Sequence, residues 1–334
     1  MTNEPNETFA KTGAQVAPLP NEKPDLSVDA PGVALAVVDR IKEDIDDYCI
    51  KTYDDGFRWH LGGSMIGHEC KKYLWLSFRW AFLEDYNGAT PREKKKNHAR
   101  MQRLFQRGHL EEFRFVEYLR GIGWEIHEFD TSKPTKPDGT FPQFRISAVG
   151  GHFGGSLDGI GIPPARYRLG RKPFLLEFKT KGTGAGFNKL VEKGVVVSNL
   201  QHFAQMSTYG AAPEYNLDFA LYNAVNKNDD DLHVEIVKLD HKLGAQMRWK
   251  AEQVITSQTA PARISDNPTF FQCKFCPAFD ECHNGKTPPK NCRSCKFARP
   301  VEGGEWVCGK VDQIIPRDFV PQGCNEWRSI TSNV

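Results

Sequence analysis

The chain has 334 residues, of which 39% are hydrophobic and 26% charged, with a formal net charge of +2. This suits one large core with at most a small appendage, and so small a charge gives no global push toward nucleic acid, leaving any polyanion site to local clustering. No run of eighteen apolar residues and no charged start followed by an apolar stretch is present, so neither a membrane span nor a secretion signal is expected, and the expected location is cytoplasmic.

Residues 1–30 are polar and proline-punctuated and read as a disordered arm. From Val33 to Cys49, Leu35, Val38, Ile41 and Ile45 recur at helical spacing. Ser64–Trp80 reads as a buried helix carrying Cys70 in its first turns and Tyr73, Trp75, Phe78 and Trp80 along it. A longer helix is expected from Arg92 to Arg120, ended by Gly121 and Gly123, with Leu104, Phe113, Val116 and Leu119 inward. Strands follow at Trp124–Phe129 and Gln143–Val149. Gly154–Ile162 and Pro173–Thr180 then form two strands joined by a basic hairpin loop. After a glycine-rich loop at Gly182–Gly186 come a helix around Ser198–Tyr209, strands at Leu217–Val225 and Leu232–Leu239, and a helix over Asp240–Thr256. Helices before, inside and after a sheet make a mixed α/β core.

Nine cysteines without an export signal point to metal or cluster ligation. Seven fall between Cys273 and Cys324, too dense for isolated packing residues. Cys49 faces no motif and reads as core. Gly304–Val311 mimics the spacing of a phosphate loop, but Val311 stands where Ser or Thr is needed to hold magnesium, so a nucleotide motor is not expected.

On a strand, Glu177 and Lys179 share one face while Leu176 and Phe178 share the other. Asp158, on the neighbouring strand, can reach the charged side. Two carboxylates with a backbone carbonyl make a hard-oxygen pocket suited to Mg²⁺ or Mn²⁺, and a lysine beside it can orient water or steady a phosphate. Alone, the Glu-x-Lys tripeptide fits a solvated strand face better than a site. Its order behind upstream acids and before Gln205 favours a site. Glu112, or His109 one turn earlier, supplies a further ligand. Gln201, Gln205 and Tyr209 lie in one helical row that contacts DNA phosphates or Lys179, or is simply the wet side.

The order Gly108-x3-Glu112, Asp158, Glu177-x-Lys179 and Gln205-x3-Tyr209 resembles the RecB-type branch of the PD-(D/E)XK nuclease superfamily. The spread pattern of Cys70 with Cys273-x2-Cys276-x5-Cys282 resembles the iron–sulfur staple of a subset that includes CRISPR-associated and phage exonucleases. The resemblance covers roughly residues 60 to 285. It implies a restriction-endonuclease-like mixed sheet flanked by helices over residues 31–285. It also implies metal binding by Glu112, Asp158 and Glu177, catalysis by Lys179, a helix motif of Gln205 and Tyr209, and a [4Fe–4S] cluster on the four cysteines. Leu157 replaces the proline of the name motif, and Glu112 stands where many relatives carry histidine.

Residues 286–334 lie outside the resemblance. Cys292-x2-Cys295 with Cys308 and Cys324 has the look of a small zinc knuckle or ribbon, a second cluster or loose thiols near a disordered end being the alternatives. Basic residues at Arg92, Lys94, Lys95, Lys96, Arg100, Arg103 and Arg107, and at Arg166, Arg168, Arg171 and Lys172, are candidates to neutralise phosphates. The expected protein is a Mg²⁺- or Mn²⁺-dependent DNA exonuclease of bacterial or phage type. Its substrate is single-stranded DNA or duplex ends, and its partner a single-strand annealing protein or a helicase. A defence-type endonuclease and a catalytically silent DNA-binding scaffold are the alternatives.

Overall fold

Residues 31–54, 56, 58–82, 90–184 and 186–331 are described by the computed structural model; the arm expected over residues 1–30 lies outside them. The chain divides into two units, Met1–Tyr48 and Cys49–Val334. The first contributes most of helix α1 (Pro31–Tyr53), which carries the apolar row of Leu35, Val38, Ile41 and Ile45. Among the described residues no helix is long and apolar enough to cross a membrane.

In the second unit, strand β1 (Leu61–Gly62) leads through a 3-10 turn at Gly63–Met65 to helix α2 (Lys71–Phe78). The single helix expected over Ser64–Trp80 is thus two pieces. Glycines at 62, 63 and 67 weaken helix propagation, and Cys70 adopts an extended conformation (φ −79°, ψ 107°) as the N-cap. Its sulfur accepts a bond from the Tyr73 amide at 3.4 Å. Helix α3 (Pro91–Gly121) opens with a reciprocal capping box between Thr90 and Glu93 and a proline in its first turn. It buries Phe115, Val116 and Leu119. Leu104 and Phe113, expected inward, are exposed. Phe113 stands roughly 200° around the helix from Phe115, and Leu104 lies beyond the part of α3 that joins the core.

Strands β2 (Glu125–His127), β3 (Arg145–Ala148), β4 (Phe153–Ser156), β5 (Gly159–Ile162) and β6 (Phe174–Lys181) follow. The run 154–162 is therefore two strands, not one. Strand β4 joins a three-stranded sheet of order β1-β4-β3, whereas β5 belongs to a five-stranded sheet, and the chain changes sheets at Leu157-Asp158. After β6 come helices α4 (Phe187–Ser198) and α5 (Leu200–Gly210), then β7 (Phe219–Asn226), β8 (Leu232–Lys238) and α6 (His241–Thr256). The five-stranded sheet has the order β2-β5-β6-β7-β8. Within this sheet, among the described residues, only β6 and β7 pair in parallel, as the α4–α5 crossover between them allows.

Period-two alternation divides this sheet between two cores. Leu176 and Phe178 of β6, with Leu221 and Val225 of β7, pack beneath α3. The rings of Phe115 and Phe178 stack at 5.2 Å, a contact that contributes about 0.5–1.5 kcal/mol beyond area burial. Leu175, Ala220, Tyr222 and Ala224 face the other way, into the larger core shared with Met206, Tyr209 and the aromatic residues of α2. The result is the expected mixed α/β architecture, a sheet covered by helices.

The cysteine-rich tail contains short helices α7 (Phe271–Lys274) and α8 (Phe279–His283) and a sheet of order β11-β10-β9, from β9 (Ala298–Val301), β10 (Glu305–Cys308) and β11 (Gln313–Ile314). The phosphate-loop mimic at Gly304–Val311 is half strand, Glu305–Cys308, followed by a turn. Trp306 is buried in the larger core, its ring 5.3 Å from that of Phe78.

Candidate active site

Strand β6 lies at the centre of the five-stranded sheet, and its Glu177 side chain is fully buried on the face covered by α5. Glu177 contacts the Lys179 ammonium through Oε1 and accepts a bond from Gln205 Nε2 through Oε2 at 3.2 Å. Asp158 sits where the chain leaves β4, immediately before β5, instead of within a strand. Its Oδ2 accepts the Phe178 amide proton at 2.7 Å, a bond that locks the side chain across the mouth of the β5–β6 pair. Glu112, on α3, lies within electrostatic reach of Asp158, Lys179 and Glu177. His109, exposed one turn earlier, lies within reach of Asp158. Four elements distant in sequence thus converge on one point.

The carboxylates are crowded. Burial, reinforced by the Asp158 and Glu177 charges, pushes Glu112 from 4.5 up to about 8. Burial and Asp158 push Glu177 up to about 7 against the pull of Lys179, and burial raises Asp158. Burial works to lower Lys179, but the facing carboxylates outweigh it and hold it above its ordinary value. One ammonium does not balance three acids. The donor set, three hard oxygen acids with excess negative charge, fits a divalent cation. Among the described residues, no group of three His, Cys, Asp or Glu side chains stands in a metal-holding arrangement as it is.

Gln201 is exposed, whereas Gln205 and Tyr209 are buried, so the row is not simply the wet side of the helix. Gln205 is buried and bonds Glu177, not Lys179. Gln201 Nε2 donates to the Ser64 carbonyl at 2.7 Å. Tyr209 is buried, hydrogen-bonded to Gln205 and raised above its ordinary phenol value by burial. Its ring fits only because Gly63 and Gly155 lack side chains: a Cβ at Gly155 would stand 2.1 Å from the phenol oxygen.

No protein-family model and no curated protein matches this chain. Among solved structures it is similar to SSO0001, at 13% identity over 75% of this chain and 98% of that one, with a TM-score of 0.38. It is also similar to the alkaline exonuclease LHK-Exo from Laribacter hongkongensis, at 16% identity over 59% of this chain and 86% of that one, with a TM-score of 0.31. The complex of LHK-Exo with dAMP gives 14% identity and a TM-score of 0.32 over the same shares. At such scores the chemistry has to be read from this chain's own residues.

Two neighbours escaped the sequence reading. Lys181 continues the period-two face of Glu177 and Lys179, and burial together with Lys179 lowers its pKa. His202 of α5 shares a 2.9 Å hydrogen bond with the Tyr222 hydroxyl, and burial, aided by Lys181 and Lys179, drives it down to about 2. Extending the alternation two residues would have found Lys181; nothing local marks His202.

The hairpin-loop bases lie at the opposite end of β5 and β6 from the carboxylates. Arg166 donates to the Ile122 carbonyl, Arg171 pairs with Glu125 at 3.2 Å and Lys172 with Asp218 at 3.3 Å. The bases of α3 lie on the helix that presents Glu112.

Both cysteine sets gather. Cys70, Cys273, Cys276 and Cys282 line one cavity of about 20 Å³, where burial pushes Cys276 up to about 11 and raises Cys282. Thiolate donors suit a soft metal, but this space is narrow, and a four-iron cluster requires its walls to part. Cys292, Cys295, Cys308 and Cys324 line a second cavity of about 310 Å³. Cys49 is buried, as expected of a core residue.

Proposed function

We propose that the chain is a divalent-metal-dependent deoxyribonuclease, acting as an exonuclease on single-stranded DNA or duplex ends and leaving a 5′-phosphate. The observation that carries this reading is the convergence of Glu112, Asp158 and Glu177, each pushed toward its protonated form, around Lys179. The three carboxylates would hold Mg²⁺ or Mn²⁺, which when bound supplies a water of lowered pKa and neutralises charge on a scissile phosphate.

The chain's own groups do the positioning. The Phe178 amide fixes Asp158, and Gln205 fixes Glu177. Tyr209, wedged between glycines, holds Gln205 in turn. Lys179 keeps its proton at neutral pH, so it acts as a fixed positive charge for a developing phosphorane and not as a base. Bases along α3 favour a phosphate backbone approaching from the Glu112 side. The reading also assigns a [4Fe–4S] cluster to Cys70, Cys273, Cys276 and Cys282, supported by their meeting in one cavity. Iron and sulfide content of anaerobically purified protein tests that part alone.

Cleavage is tested with end-labelled single- and double-stranded linear DNA, Mg²⁺ or Mn²⁺, and the Glu177→Ala variant in parallel. Progressive shortening by the wild type alone is the expected result. DNA binding without cleavage under either ion would instead favour the silent scaffold.

A further inference from the structure

Two fully buried arginines stand at the root of the C-terminal sheet, and among the described residues neither is paired with a carboxylate. Arg79, just past α2, donates to the carbonyls of Ala298 at 2.8 Å and Arg293 at 3.4 Å and to Gln258 Oε1 at 3.3 Å. Arg293 donates to the carbonyls of Arg58 at 3.1 Å, Trp59 at 3.3 Å and Phe78. It lies over the rings of Trp80 at 4.3 Å, Phe78 at 4.7 Å and Trp306 at 5.0 Å. The Nε atoms of both are buried without a partner. Carbonyl dipoles and ring faces solvate a guanidinium but do not cancel its charge, and an uncompensated buried charge is strongly unfavourable. An anion belongs nearby.

Among the described residues, the adjoining cavity is lined by one carboxylate, Glu326, which already pairs with Lys310, and by four sulfurs. Cys292 and Cys295 flank Arg293 in sequence, and Cys295 lies within electrostatic reach of Arg79. With Cys308 and Cys324 they line one cavity, and Cys292 lies within reach of the other three. Three of the four begin tight turns: the Cys295 amide bonds the Cys292 carbonyl at 3.0 Å, the Asp312 amide that of Cys308 at 2.8 Å, and the Trp327 amide that of Cys324 at 3.1 Å. Such turns bring short ligand loops round a common centre.

We propose that Cys292, Cys295, Cys308 and Cys324 bind one zinc ion as a tetrathiolate whose net double negative charge is compensated by the two buried guanidiniums of Arg79 and Arg293. On binding, four thiols lose their protons to solvent and four Zn–S bonds form, with no change of oxidation state. Four thiolates and one divalent ion leave two negative charges, equal and opposite to the arginine pair. Four soft donors suit the tetrahedral preference of zinc. The sulfurs are not in metal-holding arrangement as they stand, so they close on the ion as it binds. The centre anchors the tail to the C-terminal end of α2, whose N-cap, Cys70, lines the other cysteine cavity. It does not depend on the nuclease reading.

The test is metal analysis of the full-length protein with cysteine mapping. Expected are zinc in the purified chain and a loss of one zinc per chain in Cys292→Ser/Cys324→Ser, but not in Cys273→Ser/Cys276→Ser. Because the serine variants can fail to fold, the wild type is also alkylated with iodoacetamide before and after zinc is stripped by a chelator. Cys292, Cys295, Cys308 and Cys324 are expected to be protected together before stripping and modified together after it. Alkylation of all four in the untreated protein, or iron in place of zinc on them, would overturn the proposal.

Discussion

The two buried charged regions of this protein are unbalanced in opposite senses. Around β6, three carboxylates face one lysine; beneath the C-terminal sheet, two guanidiniums face carbonyls and aromatic rings. A protein interior rarely tolerates either imbalance, since each costs several kcal/mol in desolvation. The difference teaches what each region lacks. The first calls for a cation and has hard oxygens to hold it. The second calls for an anion, which the proposed thiolate-bound metal would provide. On the proposed reading the first also has a lysine placed for chemistry, whereas the second has only structural contacts, so the same physical argument leads to a proposed reactive centre in one place and a proposed strut in the other.

The widest separation between the regions is in activity. Glu177→Ala is expected to lower DNA cleavage by about two to three orders of magnitude, the scale for losing one preorganised electrostatic group, with DNA binding retained in a filter or gel-shift assay. Arg293→Met should leave the chemistry in place and lower the stability of the zinc-loaded chain by about 3–5 kcal/mol, the cost of breaking a buried charge pair, read by denaturant unfolding. An increase in stability would mean that no anion faces Arg293.

pH distinguishes the regions next. The folded pKa values of Glu112 and Glu177, about 8 and about 7, lie above their ordinary 4.5. Their contribution to stability is complete below pH 4.5 and is lost as pH rises through 7 to 8. Without divalent ions the melting temperature should fall by a few degrees across that window, and added Mn²⁺ should raise it most above pH 8. A melting temperature flat from pH 5 to 8.5 would contradict the crowding of the acids. The smallest effect belongs to the helix that presents Glu112. Thr90→Ala removes its capping box and should cost about 1 kcal/mol, with faster amide exchange in the first turns of α3 and none in the cysteine-rich tail.

Much of the acid site was legible because strand alternation is a strict geometric rule: Glu177 and Lys179 had to share a face. The two groups read from the cysteine spacing each line one cavity. What was not legible depends on tertiary context. The run 154–162 carries no proline to mark a change of sheet, yet that change creates the kink at which Asp158 turns toward Phe178. Helix α4 was missed because Val195, Val196 and Val197 favour strands and Gly194, with φ +69°, breaks the helical path. Gly194 also lets Glu235 approach closely enough to accept the Val195 amide proton at 2.8 Å. The inward row of α3 was misjudged at Phe113 because two phenylalanines two residues apart compete for one side, and only packing against Phe178 selects Phe115. The arginine pair left no signal at all, since nothing in a sequence distinguishes a buried arginine from the exposed ones around it.

The central claim, that the β6 acids complete their charge with a divalent cation, is tested most directly by titrating Mn²⁺ into metal-stripped protein at pH 7 by calorimetry in buffers of different ionisation enthalpy, with Glu177→Gln alongside. The expected result is binding to the wild type with release of protons, because Glu112 is mostly and Glu177 partly protonated beforehand, and much weaker binding to the variant. Binding of equal strength in both, or binding without proton release, would contradict it.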